Sequence, residues 1–197
     1  AGRLSIRTQV VRSSDKLIRE AILRELGRGG QIYFVHNRVE TMEKTGAWLR
    51  QLVPDARIVM AHGQMNAKPL EAVMLKFFHR EADVLIASAI IQSGIDVPHA
   101  NTIFVNRADM FGLAQLYQLR GRVGRGSVAS TCLLIPTHED AAENERLQAM
   151  ATTNNGFELA DLDLKLRGPG EFLGTRQAGF ASSLKMASIT DVPLIEK

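Results

Sequence analysis

The sequence predicts an α/β protein: a parallel sheet with helices on both faces, followed by a C-terminal helical hairpin and loop. Short β-rich apolar runs recur at 32–35, 57–61, 84–87 and 102–105, and helical spacings of three and four follow the first two. Strand alternating with helix at this period means βαβ units, and right-handed crossovers lay such strands parallel. A third observation sets the extension apart. Gly168, Gly170, Gly174 and Gly179 with Pro169 cannot sit in one helix, so a short hairpin with an ordered loop is expected.

Taken in order, residues 4–10 alternate as a strand does, and the chain opens directly into them, as a piece of a longer protein would. A helix is expected over 15–26, ended by Gly27. The run 32–35 stands between Gly29-Gly30 and His36-Asn37 and reads as a buried strand. Asn37 three residues before Glu40 resembles a capping box, with Val39, Met42, Gly46, Leu49 and Val53 forming the next helical stripe. A strand at 57–61 leads to a helix over 67–78 whose inward stripe is Leu70, Val73, Met74 and Phe77. Strands at 84–87, 102–105 and 131–135 follow. After Pro136 the character changes to a polar helix over 138–151 and a Gly-interrupted stretch over 155–180; the tail from Ser182 carries no signal. The expected division is a domain over 1–152 and an extension over 153–197.

With 197 residues, 45% of them hydrophobic, the chain can bury one sizeable core with an extension left over. Lysine and arginine number 24 against 21 acidic residues, a small excess that argues only weakly for a polyanionic partner. Cys132 is the single cysteine and His36, His62, His79, His99 and His138 are scattered. Disulfide frameworks and Cys/His metal spacing are therefore absent, which suits a reducing, cytoplasmic setting. No apolar run approaches a membrane span and no leader opens the chain.

Parallel sheets bring the loops after their strand C-termini to one edge, where ligands bind. Residues 36–38, 62–66, 88–98 and 106–126 are therefore the segments to read for chemistry. The strongest is Gln115-Leu116-Tyr117-Gln118-Leu119-Arg120-Gly121-Arg122-Val123-Gly124-Arg125-Gly126. Leu113, Leu116 and Leu119 can hold a short helix to the core while Gln115, Gln118 and Arg122 project elsewhere. Three arginines spaced by glycines suit an anion, because guanidinium matches phosphate oxygens and glycine lets the backbone approach; a solvated basic turn is the alternative. In Ser88-Ala89-Ile90-Ile91-Gln92-Ser93-Gly94-Ile95-Asp96-Val97-Pro98, Gly94 permits a tight approach, Asp96 offers an acceptor and Pro98 blocks a helix. A plain strand-to-turn exit is the alternative there. His62-Gly63-Gln64-Met65 stands before a helix that Asn66 can cap, and its histidine reads equally as a loop residue bonded to backbone.

Residues 115–126 resemble motif VI of superfamily 2 helicases, and 86–98 resemble motif V. The resemblance implies a RecA-like second motor lobe. Arg122 and Arg125 would be arginine fingers, reaching across a cleft to ATP that a preceding RecA-like lobe holds with Mg²⁺. Such a finger accelerates hydrolysis ~10³–10⁵-fold. Gly94, Asp96 and Gln118 would lie by the nucleotide, and His62, Gly63, Ser88 and Gln92 by the DNA backbone. Relatives carry threonines where Ser88 and Ala89 stand and a glutamate where Gln92 stands, so Ala89 lacks a hydroxyl and Gln92 a charge.

Residues 156–179 resemble the translocation motif shared by RecG-type branch-migration helicases and transcription-repair coupling factors. Arg167, Arg176 and Gln177 would there transmit lobe closure to double-stranded DNA. Gly29-Gly30-Gln31 through Glu43 and His62 to Met65 resemble the coupling factors, whereas 166–170 and 173–177 resemble RecG. The longer stretch favours the coupling factors, whose whole proteins act on stalled RNA polymerase and recruit excision-repair proteins.

No G-x-x-x-x-G-K-[ST] occurs, and no acidic pair follows a strand in the manner of a Walker B or DEAD-type segment, since His138-Glu139-Asp140 opens a polar helix; the ATP pocket therefore requires a second lobe and the isolated chain is expected to be inactive. Two other classes compete: a non-catalytic nucleic-acid-binding module that uses the basic loops alone, and a stand-alone doubly wound enzyme. The second lacks a dinucleotide fingerprint, since Gly121-x-x-Gly124-x-Gly126 has the wrong order.

Overall fold

In the computed structural model the described residues are 6–89, 96–138, 141–153, 158, 161–162 and 164–166. Contacts divide the chain into two units, Ala1–Asn154 and Asn155–Lys197. In the second, the described residues other than Glu158 include helical 161–162 and 164–166, with Lys165 3.2 Å from Asp161.

The first unit holds β1 (Ile6–Val10), α1 (Asp15–Gly27), β2 (Gln31–Val35), α2 (Met42–Leu52), β3 (Ile58–Ala61) and α3 (Ala67–Phe78). It continues with β4 (Val84–Ala87), β5 (Ala100–Asn106), α4 (Leu113–Arg120), β6 (Ser130–Ile135) and α5 (Ala141–Thr152). The six strands form one sheet in the order β1-β6-β5-β2-β4-β3, and every pairing is parallel. The expected parallel sheet with helices is the observed one, whereas the expected hairpin and loop lie largely outside the described residues.

Alternation along β2 assigns its two faces. Ile32 and Phe34 join Ile18 and Ile22 of α1, Met42 and Leu49 of α2, and Phe104 in one buried cluster. Each large apolar side chain so buried contributes ~1.5–3 kcal/mol. Tyr33 faces the other way and packs against Phe77 of α3, ring centroids 5.5 Å apart. On that second face α4 buries Leu113, Leu116 and Leu119.

Two expectations are corrected. Asn37 caps no helix: its Oδ1 accepts the Ala89 amide at 3.0 Å, and a 3₁₀ turn over Val39–Thr41 precedes α2. A tertiary partner displaced the local box. Of the α3 stripe only Phe77 is buried; Leu70, Val73 and Met74 are half-buried, because α3 lies toward the sheet edge that β3 forms.

Candidate functional site

The chemistry-bearing segments gather at two edges of the sheet rather than one. Where strands end, His36, Ser88 and Asn106 come together after β2, β4 and β5. The His36 amide donates to Ala87 O at 2.8 Å, and the Ser88 amide to Ala61 O at 3.2 Å. Residues 96–98 and 122–126 lie instead toward the edge where β5 and β6 begin. A side chain added at Gly126 would stand 2.7 Å from Pro98 O, and both residues precede their strands by a few positions. The expectation that the arginines sit where strands end is therefore corrected. Helix α4 follows β5 and runs back across the face, so its C-terminus delivers the loop to the opposite edge.

The arginine loop is built from its helix. Successive backbone bonds, Gly121 to Tyr117, Arg122 to Leu119 and Val123 to Arg120, continue the helical turn past Arg120. Gly124 then takes φ +80°, a left-handed conformation that favours glycine. The Arg125 Nε donates to Gly121 O at 2.9 Å, bracing the loop on itself. Arg122 and Arg125 both turn to Asp96, at 3.4 and 3.9 Å. The Asp96 side chain is 57% exposed, Arg125 36% and Arg122 11%, so two cations meet one anion at solvent. Tyr33 lies near all three charges. Burial pushes its phenol up to about 12, with Arg122 pulling down, Asp96 adding to the rise and Arg125 pulling down. The three arginines avoid mutual repulsion because Arg120 turns into the core. Gln118 lies on the exposed side of α4.

At the other edge, His36 is buried and fixed on both ring nitrogens. Asn106 Nδ2 donates to Nδ1 at 3.0 Å, and Nε2–H donates to Thr41 Oγ1 at 2.6 Å. Burial lowers its pKa, with Arg107 and Arg38 acting in the same direction and Glu40 opposing. The Ser88 hydroxyl is buried and has no hydrogen-bond partner among the described residues. His62 Nδ1 accepts the Gln64 amide at 3.2 Å, the backbone-bonded loop histidine that its position allowed, and Gly63 beside it is exposed. Asn66 occupies the N-cap position of α3 but makes no side-chain bond there. Gln92, Gly94, Arg167, Arg176 and Gln177 lie outside the described residues.

The sequence reading missed Tyr33, which looked like an ordinary strand aromatic, and gave no separate role to Arg120. A signal for Arg120 existed: it continues the Leu113, Leu116 stripe at helical spacing and is buried with it. Among the described residues no group of His, Cys, Asp and Glu has the makings of a metal site, and no helix is long and apolar enough to cross a membrane.

Residues 13–127 match the family described as helicase conserved C-terminal domain, and residues 153–195 match ATP-dependent DNA helicase RecG, domain 3, C-terminal. The transcription-repair-coupling factor of Haemophilus influenzae is 50% identical over 190 residues, covering 93% of this chain and 17% of that protein. That of Escherichia coli is 48% identical over 185 residues, covering 91% and 16%. This chain thus spans about a sixth of the length of these relatives. RecG bound to a three-way DNA junction matches with a TM-score of 0.76 and 35% identity over 86% of this chain and 23% of that one. The C-terminal domain of Saccharomyces cerevisiae Dbp5, bound to Gle1 and IP6, shares the fold at a TM-score of 0.58 and 15% identity, covering 82% of this chain and 98% of that one.

Proposed function

Because the chain belongs to the helicase conserved C-terminal domain family, we propose that it is the second motor lobe of an ATP-driven double-stranded DNA translocase of the transcription-repair coupling kind. One observation carries the reading: Arg122 and Arg125 converge on the half-exposed carboxylate of Asp96. A γ-phosphate fits that arrangement, since its oxygens can take the donors that a carboxylate now holds. ATP and Mg²⁺ would be gripped mainly by a preceding RecA-like lobe, because this sequence has no P-loop lysine. The nucleotide supplies the phosphoryl group. This chain's part is to bring two cations to the charge that develops on it and, through Asp96, to keep them gathered beforehand. His62, Gly63 and Ser88 lie at the strand-end edge with groups suited to a phosphate backbone, and Gln92 belongs with them by motif. Arg167, Arg176 and Gln177 would couple the stroke to duplex DNA, and RNA polymerase and excision-repair proteins would be the whole protein's partners.

The test is duplex-stimulated ATP hydrolysis by the full-length protein. Arg122→Ala or Arg125→Ala should lower kcat ~10³-fold or more, with the urea midpoint confirming a folded lobe. Turnover near wild type in both variants would sink the finger assignment. A second reading, a RecG-type branched-DNA helicase, draws on the match of residues 153–195 and the 35% identity to RecG. Displacement of stalled RNA polymerase by the full-length protein supports the first; branch migration without displacement supports the second.

A further inference from the structure

We infer that Arg120 is a positioning residue: its guanidinium caps the C-terminus of α5 and ties the arginine loop to the helix that leads into residues 153–197. The inference rests on the motor-lobe reading. Arg120 is 4% exposed. Its Nη1 donates to Met150 O at 2.8 Å, reaches Thr8 Oγ1 at 3.5 Å, and its carbon Cζ stands 5.3 Å from the Tyr117 ring centroid. Among the described residues its partners are thus a carbonyl, a hydroxyl and a ring, and no carboxylate.

A buried cation without a counter-ion is costly, so its setting deserves a physical reason. Met150 is third from the end of α5, and the last four carbonyls of a helix lack intrahelical partners and carry partial negative charge. Helix α5 has no basic residue in its own last turn. Arg120 supplies the missing cation from α4, thirty residues away in sequence.

The link is stiff at the other end as well. Backbone bonds from Gly121, Arg122 and Val123 back to Tyr117, Leu119 and Arg120 make Arg120 and the finger loop one continuous turn. Arg146 Nη2 donates to Phe111 O at 2.8 Å and holds α5 near the start of α4. A shift of Arg122 toward a phosphate therefore draws on the last turn of α5 through Met150 O. That turn ends at Thr152, directly before the residues that match the RecG domain.

The first experiment needs no variant. Hydrogen exchange in the full-length protein, with and without a non-hydrolysable ATP analogue, should show protection changing together at 121–126 and 148–152. A change confined to 121–126 overturns the inference. The second measures base pairs travelled per ATP hydrolysed. Arg120→Met, which keeps the stem and removes the donors, should lower that ratio about tenfold, within the usual range of coupling energies, and Arg120→Lys should restore part of it. A wild-type ratio in Arg120→Met sinks the inference alone. Absence of duplex-stimulated hydrolysis in the wild type sinks the motor reading, and this inference with it.

Discussion

At the scale of single residues, the hydrogen-bond chain through His36 decides its protonation state. The Arg107 amide holds Asn106 Oδ1 at 3.1 Å, which leaves the Asn106 amide group as a donor toward His36 Nδ1. Nε2–H then donates to Thr41 Oγ1, whose own hydroxyl donates to Arg38 O at 3.3 Å. Every member is satisfied only while the imidazole is neutral; a proton on Nδ1 would face another N–H. Burial and the two arginines push the same way, so the folded pKa lies below the ordinary 6.5. The unfolded chain therefore takes up the proton first, and stability is retained above pH 6.5 and lost as pH falls from there through the folded value. The urea midpoint of the wild type should drop across that window relative to His36→Gln, which cannot titrate. Parallel curves for the two proteins would show that His36 contributes nothing to the pH dependence.

At the scale of elements, the turn from α1 into β2 is fixed by a charge that sequence pattern places wrongly. Glu25 is buried at the end of α1, where its carboxylate accepts from Arg28 Nε at 2.9 Å, Arg28 Nη2 at 2.8 Å and the Thr102 hydroxyl. A Cβ at Gly30 would stand 1.8 Å from Glu25 Oε2, whereas one at Gly46 would clash with the mobile end of Met60 at 2.3 Å and touch Arg50 Nη1 at an ordinary 3.5 Å. Gly30→Ala must break a satisfied buried carboxylate and should cost ~1–3 kcal/mol in urea unfolding. Gly46→Ala, against a flexible thioether, should cost less than about 1.5 kcal/mol. Equal losses would mean that the Glu25 network yields as easily as a methionine. The same contrast explains what the sequence could tell. Helix 67–78 and strand 84–87 were legible to the residue, because periodicity and flanking breakers are local. The bonds of Glu25 to Thr102, Asn37 to Ala89 and Arg120 to Met150 were not, because those partners lie 77, 52 and 30 residues away; only the i,i+3 pairing of Glu25 with Arg28 and the helical spacing of Arg120 were local. The segment 115–126 was legible as a basic, glycine-spaced loop after a short helix, but its edge of the sheet depended on how far α4 runs back across the face.

At the scale of the whole molecule, the proposed function divides the labour between two lobes. This chain gathers Arg122 and Arg125 at Asp96 but has no P-loop, and its net charge is only +3. A module that lived by DNA binding alone would need many phosphate contacts, and log K would then fall with log salt at a slope of about −0.9 per contact. A lobe that lends a few contacts to a two-lobed motor binds weakly alone and gains affinity when its partner closes over the same duplex, by the gain in effective concentration that linkage gives. Residues 1–197 should therefore hydrolyse no ATP and bind a duplex weakly at both 50 and 200 mM salt, a range over which a protein with about six to ten phosphate contacts loses ~10³–10⁵ in affinity. Joining the upstream lobe should restore both hydrolysis and DNA binding. Tight, steeply salt-dependent binding by residues 1–197 alone, unchanged when the upstream lobe is added, would make this chain a nucleic-acid-binding module and leave the Arg122–Asp96–Arg125 cluster as a structural ion pair.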